Sequence, residues 1–237
     1  MAINFCIVLP IYNEQECLAD CIRNISKYLS CINGRTGIIA VDDGSTDGSR
    51  SILTALKSEI PNLLLVFHEK NQGYGGANRS GAKVAHENKF KYALVMDSDG
   101  TQAVEYIGSF IKPMMEDIDF IKATRYSKGG RMVGVHWKRA LISKVGNRIA
   151  KIMMDVPLSD FTNGFRAIKT DLWVALNTKE RGFESLLEEV YLVKKIQGVT
   201  YDEIPYILTS RVVDGSISKF SYAPSIYQKY AKYLFKK

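Results

Sequence analysis

The sequence predicts an α/β protein with a mostly parallel central sheet flanked by helices, and three features predict it. Short apolar segments alternate with helical ones along the first hundred residues. Those segments are near-continuous runs such as Gly37-Ile38-Ile39-Ala40-Val41, the pattern of strands buried on both faces. Each run ends in polar or glycine-rich residues. Such ends fall along one edge of the sheet, and ligands of open α/β sheets bind beyond the carboxyl ends of the strands.

Residues 4–9 are the first strand, expected to stop at Pro10, whose ring removes the next backbone donor. Ile11-Tyr12-Asn13-Glu14 follows as a loop, and residues 16–29 place Leu18, Cys21, Ile22, Ile25 and Leu29 at helical spacing. The second strand, residues 37–41, ends in Asp42-Asp43-Gly44-Ser45-Thr46-Asp47-Gly48, and a helix over residues 49–57 is broken by Pro61. Residues 63–67 form the third strand, followed by Asn71-Gln72-Gly73-Tyr74-Gly75-Gly76 and a helix over 77–87. The fourth strand, residues 92–96, delivers Asp97, Ser98 and Asp99, with Gly100 behind them.

The second half is less regular. Residues 118–123 read as another strand, leading into Arg125 and a Gly129-Gly130 loop. Residues 136–154 read as a helix with Trp137, Leu141, Val145, Ile149 and Ile152 on one side and Lys144, Arg148 and Lys151 in a row on another. That row fits a solvated face as well as an anionic contact. Residues 159–169 are a loop entering a strand, 181–196 a helix, and 201–208 an edge strand, where Pro205 is tolerated. With no repeat or linker, the chain reads as one domain over residues 1–214 with a basic, aromatic tail over 215–237.

No stretch approaches the roughly 20 apolar residues of a membrane span, and no basic leader precedes the first strand, so no signal peptide is expected. The net charge of +7 is unevenly placed. Residues 120–154 hold nine Lys or Arg and no acid, and residues 215–237 hold five Lys and no acid, leaving the rest of the chain net acidic. This fits a local anionic partner better than nucleic acid. Cys6, Cys17, Cys21 and Cys31 match no zinc spacing and read as reduced, buried small hydrophobes.

Asp97 and Asp99, one residue apart at a strand end, make a hard-oxygen site suited to a divalent cation holding a phosphate, or else a helix cap and turn. Tyr12, Asn13 and Glu14 offer an aromatic face, an amide and a carboxylate to a nucleoside, though Asn-Glu also starts helices well. Asp42 and Asp43 suit base or ribose edges, or a common turn. The glycines at 73, 75 and 76 permit close approach of backbone to a ligand, but their spacing is not that of the dinucleotide fingerprint.

Together, PIYNE after the first strand, VDDGSTDGS after the second and DSD after the fourth resemble the family 2 glycosyltransferases of the GT-A fold. TRYSKGGRMVGVHWKRALISKVGNRIAK, SDFTNGFRAIK and EIPYILTSRVVDGSISK narrow the resemblance to dolichyl-phosphate mannose synthases and bacterial polyprenyl-phosphate glycosyltransferases. It implies a sugar, mannose favoured, moved with inversion from a nucleotide-sugar of the GDP-mannose or UDP-glucose class to a polyprenyl phosphate. It implies that Pro10, Tyr12, Asn13, Glu14, Val41, Asp42, Asp43 and Gly73 hold the nucleotide-sugar together with Asp97, Ser98 and Lys219. Asp97 and Asp99 would hold Mg²⁺ or Mn²⁺, with Asp99 the principal ligand. Gly100-Thr101 displaces Gln102 by one from the family's usual position, so either Thr101 or Gln102 completes that site. Arg125, Arg211 and Lys219 would contact phosphates, and Arg139 and Ser143, one helical turn apart, would join Arg125 at the acceptor phosphate. The loop from Arg211 to Lys219 is two residues longer than the family's usual spacing.

A phosphate acceptor is already ionised near neutrality and needs no general base, whereas a hydroxyl acceptor needs one. Glu188, on the helix over 181–196, is the candidate for that second case, or else an ordinary surface or N-terminal-turn acid. A silent nucleotide-sugar-binding protein is the third reading. The resemblance places the protein in the cytoplasm, on the cytoplasmic face of a membrane. The helix over 136–154 and the tail would lie on the surface, with or without an anchoring subunit, unless the tail's aromatic residues pack on the protein instead.

Overall fold

The structure, a computed structural model, describes residues 2–209 and 224–235. In its first half, strands β1 (Ile3–Ile11), β2 (Gly34–Asp42), β3 (Leu63–Phe67) and β4 (Tyr92–Val95) alternate with helices α1 (Leu18–Leu29), α2 (Ser49–Glu59) and α3 (Tyr74–Glu87). Then come α4 (Tyr106–Met115), β5 (Phe120–Thr124), the short β6 (Arg131–Met132), α5 (Trp137–Met154), β7 (Arg166–Lys169), α6 (Thr170–Ala175) and α7 (Ser185–Lys194). The chain closes with β8 (Tyr201–Pro205), β9 (Ile207–Leu208) and α8 (Pro224–Leu234).

Seven strands form one sheet in the order β3-β2-β1-β4-β7-β5-β8, while β6 and β9 pair separately. Every pair in the large sheet is parallel except those of β7, which runs against both β4 and β5. The exception follows from the connection: α5 leaves and returns on the carboxyl edge, so the chain enters β7 from there. The start of β7, rather than its end, therefore stands beside the ends of β4 and β5.

Alternation along the strands divides the core. Phe5, Ile7, Leu9 and Ile11 point to the face covered by α1, α2 and α4, where Ile22, Leu53 and Phe110 are fully buried. Cys6 and Val8 point to the other face, with Ala82 of α3, Trp173 of α6, Val190 of α7 and Tyr233 of α8. Each such fully buried aliphatic side chain contributes about 1.5–3 kcal/mol.

Several boundaries differ from expectation, each for a local reason. β1 continues through Pro10, which pairs with Val41. The Val8 carbonyl accepts from Met96 on the β4 side, so Pro10, two residues on, also faces that side, where β4 has already ended and no donor is required. α3 begins at Tyr74, taking Gly75 and Gly76 into its first turn. α4 was not expected: Gly108 and Pro113 interrupt a segment whose Ile107, Phe110 and Met114 are nonetheless spaced to face the core. Residues 181–184 precede α7 rather than belonging to it. Among the cysteines only Cys6 is buried; Cys31 is exposed and Cys17 and Cys21 are half-buried, all as free thiols.

Candidate active site

The loops after β1 and β2 are stitched together by their own side chains. Asn13, in the left-handed region at φ 52°, accepts the Thr46 N–H on its amide oxygen at 2.8 Å and donates its own N–H to Ser45 Oγ at 3.0 Å. Glu14 N–H donates to Ser49 Oγ at 3.0 Å, and the Gln15 side chain accepts the Gly48 N–H at 2.7 Å. Tyr12 and Glu14 stand half-buried at the edge of this seam.

Asp42 and Asp43, both buried, are held differently. Asp42 receives Arg50 Nε at 3.1 Å and the Ser45 N–H at 3.2 Å. Asp43 receives His68 Nδ1 at 2.6 Å and the N–H groups of Gln72 and Gly73 at 2.8 Å each. It therefore fixes the loop leading into α3. The glycines of that loop lie close against protein backbone. A Cβ at Gly73, which has φ 83°, or at Gly75 would collide with the Glu180–Arg181 backbone, to which Gly75 donates at 2.7 Å.

At the end of β4, Asp97 and Asp99 are half-exposed and each is braced from the following turn. Gln102 uses both ends of its amide on Asp97, accepting its N–H at 3.0 Å and donating to its Oδ2 at 2.7 Å. Thr101 donates its N–H and hydroxyl to Asp99 Oδ1 at 3.1 and 2.7 Å. The structure thus brings both Thr101 and Gln102 against the two carboxylates. Ser98 is buried between them and donates to the Pro10 carbonyl at 3.3 Å, while the Cys17 thiol reaches the Ser98 carbonyl at 3.4 Å. Two hard-oxygen donors one residue apart suit Mg²⁺ or Mn²⁺, which take the rest of their coordination from phosphate and water. Among the described residues no third His, Cys, Asp or Glu joins them in a metal-binding group.

Beyond β5, Arg125 makes a two-pronged bond to the fully buried Asp160, at 2.7 and 2.8 Å, and reaches Thr162 Oγ1 at 3.1 Å. Burial opposes its charge, but Asp160 outweighs burial and holds the guanidinium pKa above its ordinary value. Thr162 also accepts from Asn147 of α5 at 3.0 Å, and Asn147 accepts the Phe161 N–H at 2.6 Å. Arg139 and Ser143 share the Asn147 side of α5, and Ser143 accepts the Tyr126 hydroxyl at 2.6 Å. This polar side is the one that meets the protein. Trp137, Leu141, Val145, Ile149 and Ile152 are all exposed, Ile152 at 72%. Arg211 and Lys219 lie outside the described residues.

The model of glycosyl transferase family 2 matches residues 6–174. The chain belongs to that family. The polyprenol monophosphomannose synthase of Mycolicibacterium smegmatis is 24% identical over 218 residues, 91% of this chain and 80% of that protein. The undecaprenyl-phosphate mannosyltransferase of Micrococcus luteus is 24% identical over 86% of this chain and 83% of its own length. Among solved structures, glucosyl-3-phosphoglycerate synthase from Mycobacterium tuberculosis, with Mn²⁺, uridine diphosphate and phosphoglyceric acid, superposes with a TM-score of 0.64 at 16% identity, over 90% of this chain and 72% of that one. S. aureus TarS 1-349 superposes at 0.57 and 17% identity, over 87% and 60% of the two chains. The fold is the GT-A fold.

Within this family 2 glycosyltransferase, sequence reasoning missed the groups that hold the named residues in place. Asp160, Thr162 and Asn147 fix Arg125 and α5, and His68 fixes Asp43. Asn163 ties the approach to β7 to β5, accepting Lys122 on its carbonyl at 2.7 Å and donating its amide to Ala123 at 2.8 Å. The signal for three of them, Asp160, Thr162 and Asn163, was the SDFTNGFRAIK segment, whose polar residues precede a strand instead of ending one. Glu188 lies in the first turn of α7 but is not a surface acid: it is 5% exposed and accepts the N–H groups of Lys179 and Glu180 at 2.9 and 2.8 Å. The described part of the tail packs inward as α8. Tyr230 and Tyr233 are buried, and Lys229 and Lys232 pair with Glu184 and Glu180 at 2.7 Å each.

Proposed function

We propose that this glycosyltransferase moves a hexose, mannose first among the candidates, from a nucleoside diphosphate to the phosphate of a polyprenyl chain, inverting the anomeric centre. The observation that carries the acceptor is α5. Its polar side, with Arg139, Ser143 and Asn147, turns toward Arg125, while its apolar side faces outward between cations. A water-soluble acceptor needs no such surface. A lipid phosphate needs both, a phosphate contact inside and a bilayer contact outside. The two mannosyltransferase relatives, named for polyprenol and undecaprenyl phosphate, support the same reading.

Asp97 and Asp99 would hold Mg²⁺ or Mn²⁺, which when bound supplies Lewis-acid stabilisation to the departing diphosphate. Gln102 and Thr101 keep the two carboxylates oriented for that task. The edge formed by Pro10, Tyr12, Glu14, Val41, Asp42 and Asp43 takes the nucleoside. Arg211, with Lys219, would meet the phosphates as the resemblance implies. The acceptor phosphate, largely dianionic near neutrality, attacks without a general base. This agrees with Glu188, whose carboxylate is occupied by two backbone amides. The apolar side of α5, with Lys144, Arg148 and Lys151 exposed beside it, rests on the cytoplasmic face of an anionic membrane. Among the described residues no helix is long and apolar enough to cross one.

The test is transfer of label from GDP-mannose or UDP-glucose, with Mn²⁺ and a short polyprenyl phosphate, into the organic phase, with Asp99→Ala beside it. Label that requires metal, lipid phosphate and Asp99 is expected, and the donor that gives it names the sugar. Transfer to a saccharide hydroxyl instead, or nucleotide binding without turnover, would overturn the reading.

A further inference from the structure

Three elements that line the donor edge meet at one imidazole. His68, the residue after β3, is 6% exposed, and its Nδ1 lies 2.6 Å from Asp43 Oδ1 while its Nε2 lies 2.8 Å from Ser80 Oγ of α3. Its main chain serves the neighbouring acid as well. The His68 N–H donates to the Asp42 carbonyl at 2.9 Å, and the His68 carbonyl accepts from Arg50, which also donates to Asp42 Oδ2. Both acids at the end of β2 are thus tied to this residue.

The partners assign the roles of the ring nitrogens. An ionised carboxylate only accepts, so Nδ1 carries the hydrogen toward Asp43, and in the neutral ring Nε2 accepts from the Ser80 hydroxyl. The Ser-His-Asp order is that of a hydrolytic nucleophile, but Ser80 sits inside α3, whose backbone N–H groups are engaged within the helix and cannot stabilise an oxyanion. The set is a brace. Asp43 already accepts three protein hydrogen bonds, and a carboxylate has about four acceptor positions. One remains on Oδ2, and its direction depends on what prevents the carboxylate from rotating.

We propose that His68 is a positioning residue for donor binding: through Nδ1 it holds Asp43 in the orientation in which that carboxylate meets the nucleoside. This rests on the donor role given to Asp43 above. Loss of the bond leaves the Gln72 and Gly73 amides to hold the carboxylate by themselves, and nucleoside affinity falls while the chemical step, at Asp97 and Asp99, is untouched.

The experiment uses the full chain with His68→Asn, His68→Gln, His68→Leu and Ser80→Ala. Binding of GDP and UDP with Mn²⁺ is measured by calorimetry, and donor KM and kcat in the transfer assay. The asparagine amide can take the place of Nδ1, whereas the glutamine amide reaches toward Ser80 and not Asp43. His68→Leu and His68→Gln are expected to raise donor KM and nucleotide Kd about tenfold, the worth of one hydrogen bond, with kcat at saturating donor nearly unchanged. His68→Asn should stay within about threefold of wild type, and Ser80→Ala, which keeps the Asp43 bond, should do the same. Asparagine as damaging as leucine, or a fall in kcat at constant KM, would overturn the assignment. So would unaltered KM in all four variants beside a wild type that binds nucleotide. A wild type that binds neither nucleotide would overturn the donor reading, and this inference with it. Should His68→Leu fail to fold, the contrast between His68→Asn and His68→Gln decides.

Discussion

Up to β4 the buried runs of the strands are apolar and the acids stand at or past their carboxyl ends; after β4 charged groups lie in mid-strand within the sheet and apolar ones stand outside the protein. In the first half Ile7, Val8, Ile39 and Leu94 are fully buried, and the acids stand at the strand ends or on the loops that follow. In the second, Lys122 of β5 and Arg166 of β7 are buried to 1% exposure or less, Arg166 bound to Glu189 of α7 by both of its guanidinium prongs. Trp173 donates to the same carboxylate at 2.8 Å. Meanwhile seven large apolar side chains of α5, Ile142 and Met153 among them, are exposed. Buried charge is costly unless fully paired, and exposed apolar stripes are uncommon on soluble proteins. The two departures occur together, in the half to which the acceptor is proposed to bind.

Substitutions should separate the halves. Asp99→Asn is expected to reduce transfer by about 10³-fold or more, since the cation proposed to stabilise the leaving diphosphate would lose its proposed principal ligand. Its thermal unfolding should stay close to wild type. Transfer that survives would show that the reaction centre lies elsewhere.

Glu189→Leu strands the Arg166 charge in the sheet and should cost about 3–5 kcal/mol in urea unfolding. Ile7→Val, an equally buried site in the first half, should cost only about 0.5–1.5 kcal/mol. Equal costs would erase the contrast, because they would mean that the Arg166–Glu189 pair is no more critical than a methyl group.

Lys122 gives the second half a pH signature. Burial, reinforced by Arg166 and partly opposed by Glu189 and Asp160, pushes its pKa down from 10.5 to about 8. The folded protein therefore releases this proton at a lower pH than the unfolded chain does. Below pH 8 both states are charged and the fold carries the full cost of the buried ammonium. Between about 8 and 10.5 the unfolded chain binds more proton, so stability contributed by this site rises with pH, by about 3 kcal/mol at most. The measurement is urea unfolding of wild type and Lys122→Met across that range. Wild type should gain on the variant as pH rises, and parallel curves would sink the idea.

The same contrast explains what the sequence disclosed. The first four strands were legible because burial on both faces writes an unbroken apolar run, and the acids at their ends were legible because the runs stop at them. β7 was not read as antiparallel, since direction is set by where α5 returns the chain, which no local pattern records. Consequently Asp160, Thr162 and Asn163 were seen only as loop. His68 gave no signal either, being a single histidine after a strand whose partners lie 25 and 12 residues away. Conversely, the family resemblance named Asp97 and Asp99, with Thr101 or Gln102 as a further ligand, but did not disclose the hydrogen bonds that Thr101 and Gln102 make to the two carboxylates, because these arise from local turn geometry.

Helix α5 is where periodicity was read correctly and still left the question open. Its apolar residues were placed on one side, and a moment of that kind usually marks the side facing the core. Here Asn147, Ala150 and Met154 are the buried residues instead, because Thr162 and the Phe161 amide on the protein side require a polar partner. Leu141 and Ile152, 53% and 72% exposed, therefore have little packing to lose compared with a core residue, and Leu141→Glu with Ile152→Glu should change folding stability by no more than about 0.5 kcal/mol each. Sedimentation with anionic vesicles should fall sharply in the same double variant, and transfer to a long-chain polyprenyl phosphate in membranes should fall with it. Transfer to a short, detergent-soluble analogue should persist, since Arg125, Arg139 and Ser143 are untouched. If the double variant instead unfolds readily, the stripe packs against protein, and the outward side of α5 is a core surface whose partner is another part of the assembly. If it is stable and still binds vesicles, the membrane contact lies on another surface and α5 is not what brings the acceptor to the site.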